Sequence, residues 1–117
     1  MNIQADRVFV MSELYNAGPD EGNLGLPFEA ERYFVCAETE DGHRFAHNAR
    51  FAGAERWEDP EGYSGYQDVR KEAKAKADAF CAEINKALKA GRPLDPTYWR
   101  ELPPAYGSEA YQEAYNF

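Results

Sequence analysis

The spacing of apolar and polar positions divides the chain into a strand-rich first half, one long amphipathic helix and an aromatic tail. Arg7–Met11 is a short run that is apolar on both faces, as in a central or well-covered strand. Residues 16–27, NAGPDEGNLGLP, cluster Gly, Pro, Asn and Asp and predict a loop. At that length the loop either carries function or is mobile. Ala30–Thr39 has aromatic and β-branched residues at its centre and predicts a second strand. Asp41-Gly42 is a preferred two-residue hairpin turn, and His43–Phe51 makes the third strand. That turn sets Glu40 against His43, Glu38 against Phe45, Cys36 against His47 and Phe34 against Ala49. One face then holds Phe34, Cys36, Phe45, His47 and Phe51, and is the expected core. The other holds Tyr33, Val35, Ala37, Arg44, Ala46, Asn48 and Arg50. Residues 52–65 read as a second loop.

From Tyr66 to Ala90, apolar residues recur at Tyr66, Val69, Ala73, Ala77, Phe80, Ile84 and Leu88, a helical stripe. Ser64 followed by Gln67 predicts a capping box at the start. Gly91 predicts the αL residue after the end, and Pro93 prevents continuation. Beyond it, Asp95-Pro96 predicts a single capped turn, and Ser108 a cap for a last helix through Tyr115. The fold expected is α+β. Residues 1–65 supply a three-stranded antiparallel sheet and its loops, residues 66–90 the covering helix, and residues 91–117 a short helical arm, all in one domain.

Charge adds a second pattern. The 117 residues hold 13 Lys and Arg against 21 Asp and Glu, a formal net charge of -8. It is uneven: residues 1–65 have 13 acids and 5 bases, residues 66–94 have 4 acids and 7 bases, and the rest have 4 acids and 1 base. An acidic surface repels phosphate, so direct nucleic-acid binding is disfavoured, and the lysine-rich helix reads first as a solvated face. A weak nucleic-acid strip on that helix is the competing reading. No apolar run approaches the ~20 residues a bilayer needs, and Asp6 and Arg7 interrupt any leader-like stretch. The expected location is therefore the cytoplasm. There Cys36 and Cys81, with no CxxC between them, are expected as free thiols.

Candidate chemistry is sparse. The sequence has no Walker loop, GxGxxG, GxSxG or HExxH, and no cofactor is implied. The expected hairpin register brings Cys36 beside His47, the arrangement that activates a thiolate, yet no orienting acid or oxyanion-hole motif accompanies it. A small thiol enzyme on that pair is an alternative, not the reading adopted. His43 and His47 lie four apart; on a strand that is ~13 Å, too far for one metal ion. No metal site and no catalytic residue are assigned.

The tail Trp99-Arg100-Glu101-Leu102-Pro103-Pro104-Ala105-Tyr106-Gly107-Ser108-Glu109-Ala110-Tyr111 follows the form W-x-E-x-x-P-x-Y-G-S-x-x-Y. It resembles the ending of small conserved hypothetical proteins of phages, prophages and plasmids. The resemblance covers the last third of the chain and carries over no functional residue. It implies an accessory protein in a bacterial host cell, of a kind that binds host or phage machinery, including inhibitors of restriction or CRISPR complexes. The expected function is accordingly non-enzymatic protein binding. Its expected contacts are Trp57, Tyr63, Trp99, Tyr106 and Tyr111, with Glu58, Asp59 and Glu61 as the charged rim, since aromatic anchors inside a charged rim dominate interface energies. The partner is a protein complex with a basic surface; a homodimer through the aromatic arm stays open.

Overall fold

The structure, a computed structural model, describes residues 3–115; residues 1–2 and 116–117 at the ends of the expected domain lie outside them. The fold is α+β with an antiparallel sheet and two helices, one of them long. The strands are β1 (Arg7–Asp20), β2 (Leu26–Glu38), β3 (Arg44–His47), β4 (Phe51–Ala52), β5 (Ala54–Glu58), β6 (Ser64–Asp68) and β7 (Trp99–Leu102). The long helix is α1 (Arg70–Lys89) and the short one α2 (Glu109–Tyr115). The main sheet runs β1-β2-β3-β7, with β4 also on β2; β5 and β6 form a separate ribbon. The described residues therefore hold seven strands where three were expected.

Four of the differences follow from strand pairing. Residues 16–27 are not a loop: β1 continues through a register shift between Asn16 and Pro19, a 3-10 turn spans Glu21–Asn23, and β2 begins at Leu26. Residues 52–65 are likewise mostly strand, because Ala54–Glu58 pairs with Ser64–Asp68. Pairing rather than propensity holds these polar, glycine-containing stretches extended. Ser64 and Tyr66 are consequently in β6, the helix begins at Arg70, and the capping box is absent. Asp68 instead accepts the Arg70 backbone N–H at 2.9 Å. Trp99–Leu102, expected as irregular tail, pairs with β3 as a fourth ladder strand.

The hairpin register also differs from expectation by one residue. Cys36 lies opposite Ala46, Ala37 opposite Phe45 and Glu38 opposite Arg44. The turn has three residues, Glu40-Asp41-Gly42, closed by the Thr39 N–H donating to the His43 carbonyl at 2.9 Å. Gly42 sits at φ 97°, the left-handed position that completes a three-residue loop, and it lies against Ser108 with no room for a Cβ. The expected core face is thereby split. Phe45, His47 and Phe51 share a face with Tyr33, Val35 and Ala37. Phe34 and Cys36 share the other with Arg44, Ala46 and Arg50. Tyr33–Ala37 is buried at all five positions, so alternation in β2 could not select a face.

Helix α1 packs on the Tyr33 face. Ala73 and Ala77 meet Tyr33, Val10 and Phe51; Ile84 and Leu88 meet Ala37, Val8, Phe45 and Trp99. The helix ends as expected: the Gly91 N–H donates to the Leu88 carbonyl and the Arg92 N–H to the Ala87 carbonyl, the paired bonds of a Schellman motif. Asp95 caps the Pro96–Tyr98 turn by accepting the Thr97 N–H at 3.0 Å. Ser108 Oγ caps α2 by accepting the Tyr111 N–H at 3.1 Å. No described helix is long and apolar enough to cross a membrane.

Candidate interaction surface

The β5–β6 ribbon ends in a turn built on Asp59. One carboxylate oxygen accepts the Glu61 N–H at 3.0 Å and the Tyr63 N–H at 2.9 Å, and the Asp59 N–H donates to the Tyr63 carbonyl at 2.8 Å. Asp residues make such turns because the side chain replaces a backbone acceptor. Trp57 lies opposite Gly65, and its ring occupies the space a side chain would need. A Cβ on Gly65 would come within 2.7 Å of both the Trp57 ring and the Asp20 carboxylate. The ribbon is thus laid across the tip of the β1–β2 hairpin. Two side-chain contacts anchor it: the Tyr66 hydroxyl donates to the Ala17 carbonyl at 2.8 Å, and the Tyr66 ring stacks on Phe28 with centroids 5.7 Å apart. The Ser64 N–H also reaches the Glu21 carboxylate at 3.3 Å.

The two tips make one surface. Residues 20–26 and 57–65 give it Glu21, Glu58, Asp59 and Glu61 with no Lys or Arg, while Asp20 is buried against Gly65. Among these acids stand exposed apolar groups: Leu24 at 94% exposure, Tyr63 at 63%, Leu26 at 54% and Trp57 at 39%. Leu24 also has φ 57°, left-handed backbone that most non-glycine residues avoid. Folding alone gains nothing from a leucine held there in water.

The expected contact residues divide. Trp57, Glu58, Asp59, Glu61 and Tyr63 sit together on the ribbon. Trp99 does not join them; it packs in the helix-covered core, with its ring centroid 5.0 Å from that of His47. Tyr106 and Tyr111 lie with Tyr115 in a row of rings 4.9 and 4.7 Å apart. That arm is tied to the β2–β3 turn, where the Ala105 N–H donates to the Gly42 carbonyl and the Ala110 N–H to the Asp41 carbonyl. The ribbon and the arm therefore lie at opposite ends of the 13-residue strand β2. Leu24 and Leu26 were missed because the stretch that holds them read as generic loop; two leucines inside a Gly/Asp turn were the available signal.

The Cys36–His47 pair is not assembled. Cys36 is fully buried on the face away from α1, and burial pushes its thiol pKa up. His47 faces α1, with Phe80 4.7 Å away edge-on, and accepts the Ala49 N–H at Nδ1. Burial, with Arg50 adding to it, pushes the His47 pKa down. Among the described residues no group of three or more His, Cys, Asp or Glu is placed to hold a metal ion.

A second charged region lies on the face that carries Cys36. Arg7, Arg32, Arg44 and Arg50 stand over aromatic rings on that side. Arg50 lies 4.6 Å above Phe34, Arg7 4.6 Å above Phe9, and Arg32 5.1 Å above Tyr15. Two glutamates tie them in place: Glu38 binds Arg7 at 2.8 Å and Arg44 at 2.7 Å, and Glu13 binds Arg32 at 2.6 Å. The arginines are 12 or more residues apart except for Arg44 and Arg50, so only strand pairing brings them together. Comparison with protein-family models, with curated proteins and with solved structures gives no match.

Proposed function

We propose that this chain is a non-enzymatic protein-binding module that docks through its acidic double tip. The observation that carries the reading is Leu24, an apolar side chain almost fully in water on left-handed backbone, in a double tip that holds Glu21, Glu58, Asp59 and Glu61 and no Lys or Arg. Strain held at an exposed apolar residue is a signature of recognition rather than of folding. Leu24, Leu26, Trp57 and Tyr63 would fill an apolar recess, and Glu21, Glu58, Asp59 and Glu61 would meet a basic rim and speed encounter. The resemblance of the tail to mobile-element proteins points to a host nuclease or defence complex as the partner, and to inhibition as the consequence. Such complexes expose basic surfaces to bind phosphate.

The test is capture from lysate of a bacterial host, with immobilised parent beside Leu24→Asp and Trp57→Ala/Asp59→Ala variants. A defined complex retained by the parent, lost from both tip variants and kept by Tyr106→Ala supports the reading. The same proteins retained by parent and tip variants, or none retained by the parent, would defeat it.

A further inference from the structure

The outer edge of β1 is open. From Arg7 to Asn16 every residue is in register with β2 on one side. On the other side no strand pairs with it among the described residues. Ten residues at ~3.4 Å each make an edge about 34 Å long. Edge strands are normally blunted by Pro, a bulge or charged side chains, Lys above all. No Pro, Lys or bulge lies between Arg7 and Asn16, where the charges are Arg7 and Glu13; the irregularity and Pro19 come only afterwards. Alongside the edge runs an open groove of about 560 Å³ between β1 and α1, with Val8, Val10 and Ser12 on its strand wall and Cys81 and Ala82 on its helix wall.

The charges along this edge choose the occupant. On the face away from α1, cross-strand rows of alternating sign run outward and stop at β1. One row is Arg44, Glu38, Arg7, with ion pairs of 2.7 and 2.8 Å, and it ends positive. The other is Arg32, Glu13, paired at 2.6 Å, and it ends negative. The two row ends are six residues apart and symmetric about Val10.

We propose that the occupant of the β1 edge is a second copy of this chain, paired antiparallel about a two-fold axis at Val10. In that register Arg7 faces Glu13 of the other copy, twice. Phe9 faces Met11, Val8 faces Ser12, and Val10 faces itself. Each alternating row then continues through five strands, Arg44, Glu38 and Arg7 of one copy meeting Glu13 and Arg32 of the other, without a like-charge contact. An axis perpendicular to the sheet keeps both α1 helices on one side, and the flank where they would approach carries Ala82, Cys81 and Asn85 beside the Lys74–Asp78 ion pair. Neighbouring registers lose the match. Centring on Phe9 sets Arg7 against Met11, and centring on Met11 sets Glu13 against Phe9. Opposite charges directly across antiparallel strands stabilise the pair and like charges oppose it.

The proposal is independent of the tip reading and is tested by analytical ultracentrifugation of the full chain. The parent should sediment as a dimer, at twice the 13.3 kDa chain mass, with dissociation at low concentration. Arg7→Glu alone and Glu13→Arg alone should each be monomeric over that range, because each sets like charges across the axis. Mixed in equal amounts they should dimerise, because every cross-axis pair is opposite again. Val10→Cys on a Cys81→Ser background changes no charge and reports the register. It should form an interchain disulfide on mild oxidation, whereas Val8→Cys on that background should not, since position 8 faces position 12. A parent that stays monomeric overturns the proposal, including one that instead captures an extended peptide at this edge. So does a dimer that survives both charge reversals, or one abolished by Tyr111→Ala with position 10 uncrosslinked.

Discussion

On the α1 side of the sheet, Tyr33, Ala73 and Ala77 are buried against one another, and Phe80 sits edge-on to His47 and Phe51. On the other side Phe34 is 3% exposed and Cys36 fully buried, yet the groups over the aromatic rings are guanidiniums. Apolar atoms close one face. Arginine stems and planar cations, fixed by Glu13 and Glu38, shield the other. The difference teaches that a sheet can be buried on both faces with a single long helix, provided the second face carries arginine rather than lysine. The guanidinium stacks flat on a ring while its edge remains hydrogen-bonded.

The comparison breaks most sharply at Phe80. Phe80→Ala opens a cavity on the helix side and should cost about 3 kcal/mol in urea unfolding. A loss below about 1 kcal/mol would mean that α1 is not a principal cover. Arg50→Ala, on the opposite face, should cost less, about 1–2 kcal/mol, and Arg50→Met should recover part of it. Recovery separates the shielding by the stem from the ion pair with Glu13. Equal losses for the two variants would assign the whole effect to charge.

The smallest effect, and the one that separates the faces by pH, is titration. His47 is half-buried against Phe80 and Trp99, and burial, with Arg50 adding to it, holds its folded pKa below its unfolded value. Its contribution is complete above about pH 6.5 and is lost as pH falls through the folded value. Burial alone would raise Glu13, but the Arg32 hydrogen bond and the charges of Arg32, Arg50 and Arg100 outweigh it and hold its pKa down. Glu38 is held down first by its hydrogen bond to Arg7, against some burial, with Arg44 adding to it. Their contributions are complete above about pH 4.3 and are lost only as pH falls through their lower folded values. Thermal melts should therefore show two acid steps, the upper removed by His47→Gln and the lower reduced by Glu38→Gln. A single step unaffected by His47→Gln would place His47 in water.

Much was legible where a signal is local. The 3.6-residue stripe from Ala73 to Leu88, the Gly91 ending and the Asp95 and Ser108 caps depend on neighbours within one turn, and all are present. The Asp41-Gly42 hairpin was placed but mis-registered. The three-residue turn packs Gly42 against Ser108, 66 residues away, a contact that no local pattern announces. Trp57 to Tyr63 come together for a local reason: they lie in one turn. Trp99 was assigned to the surface because nothing near it in sequence announces that it pairs with His47 across the β3–β7 ladder.

The sequence by itself determined an α+β chain with one long helix, an acidic balance and capped turns, because helices, caps and charge are set by neighbours along the chain. Only the tertiary structure decided three things. It showed that residues 16–27 and 52–65 are largely strand, paired across hairpins inside a run of turn formers. It gathered arginines scattered from position 7 to position 50 over one set of rings. It also left the Arg7–Asn16 edge open. Each is a property of pairing, and pairing between distant strands is settled by which faces and charges fit when the sheet closes.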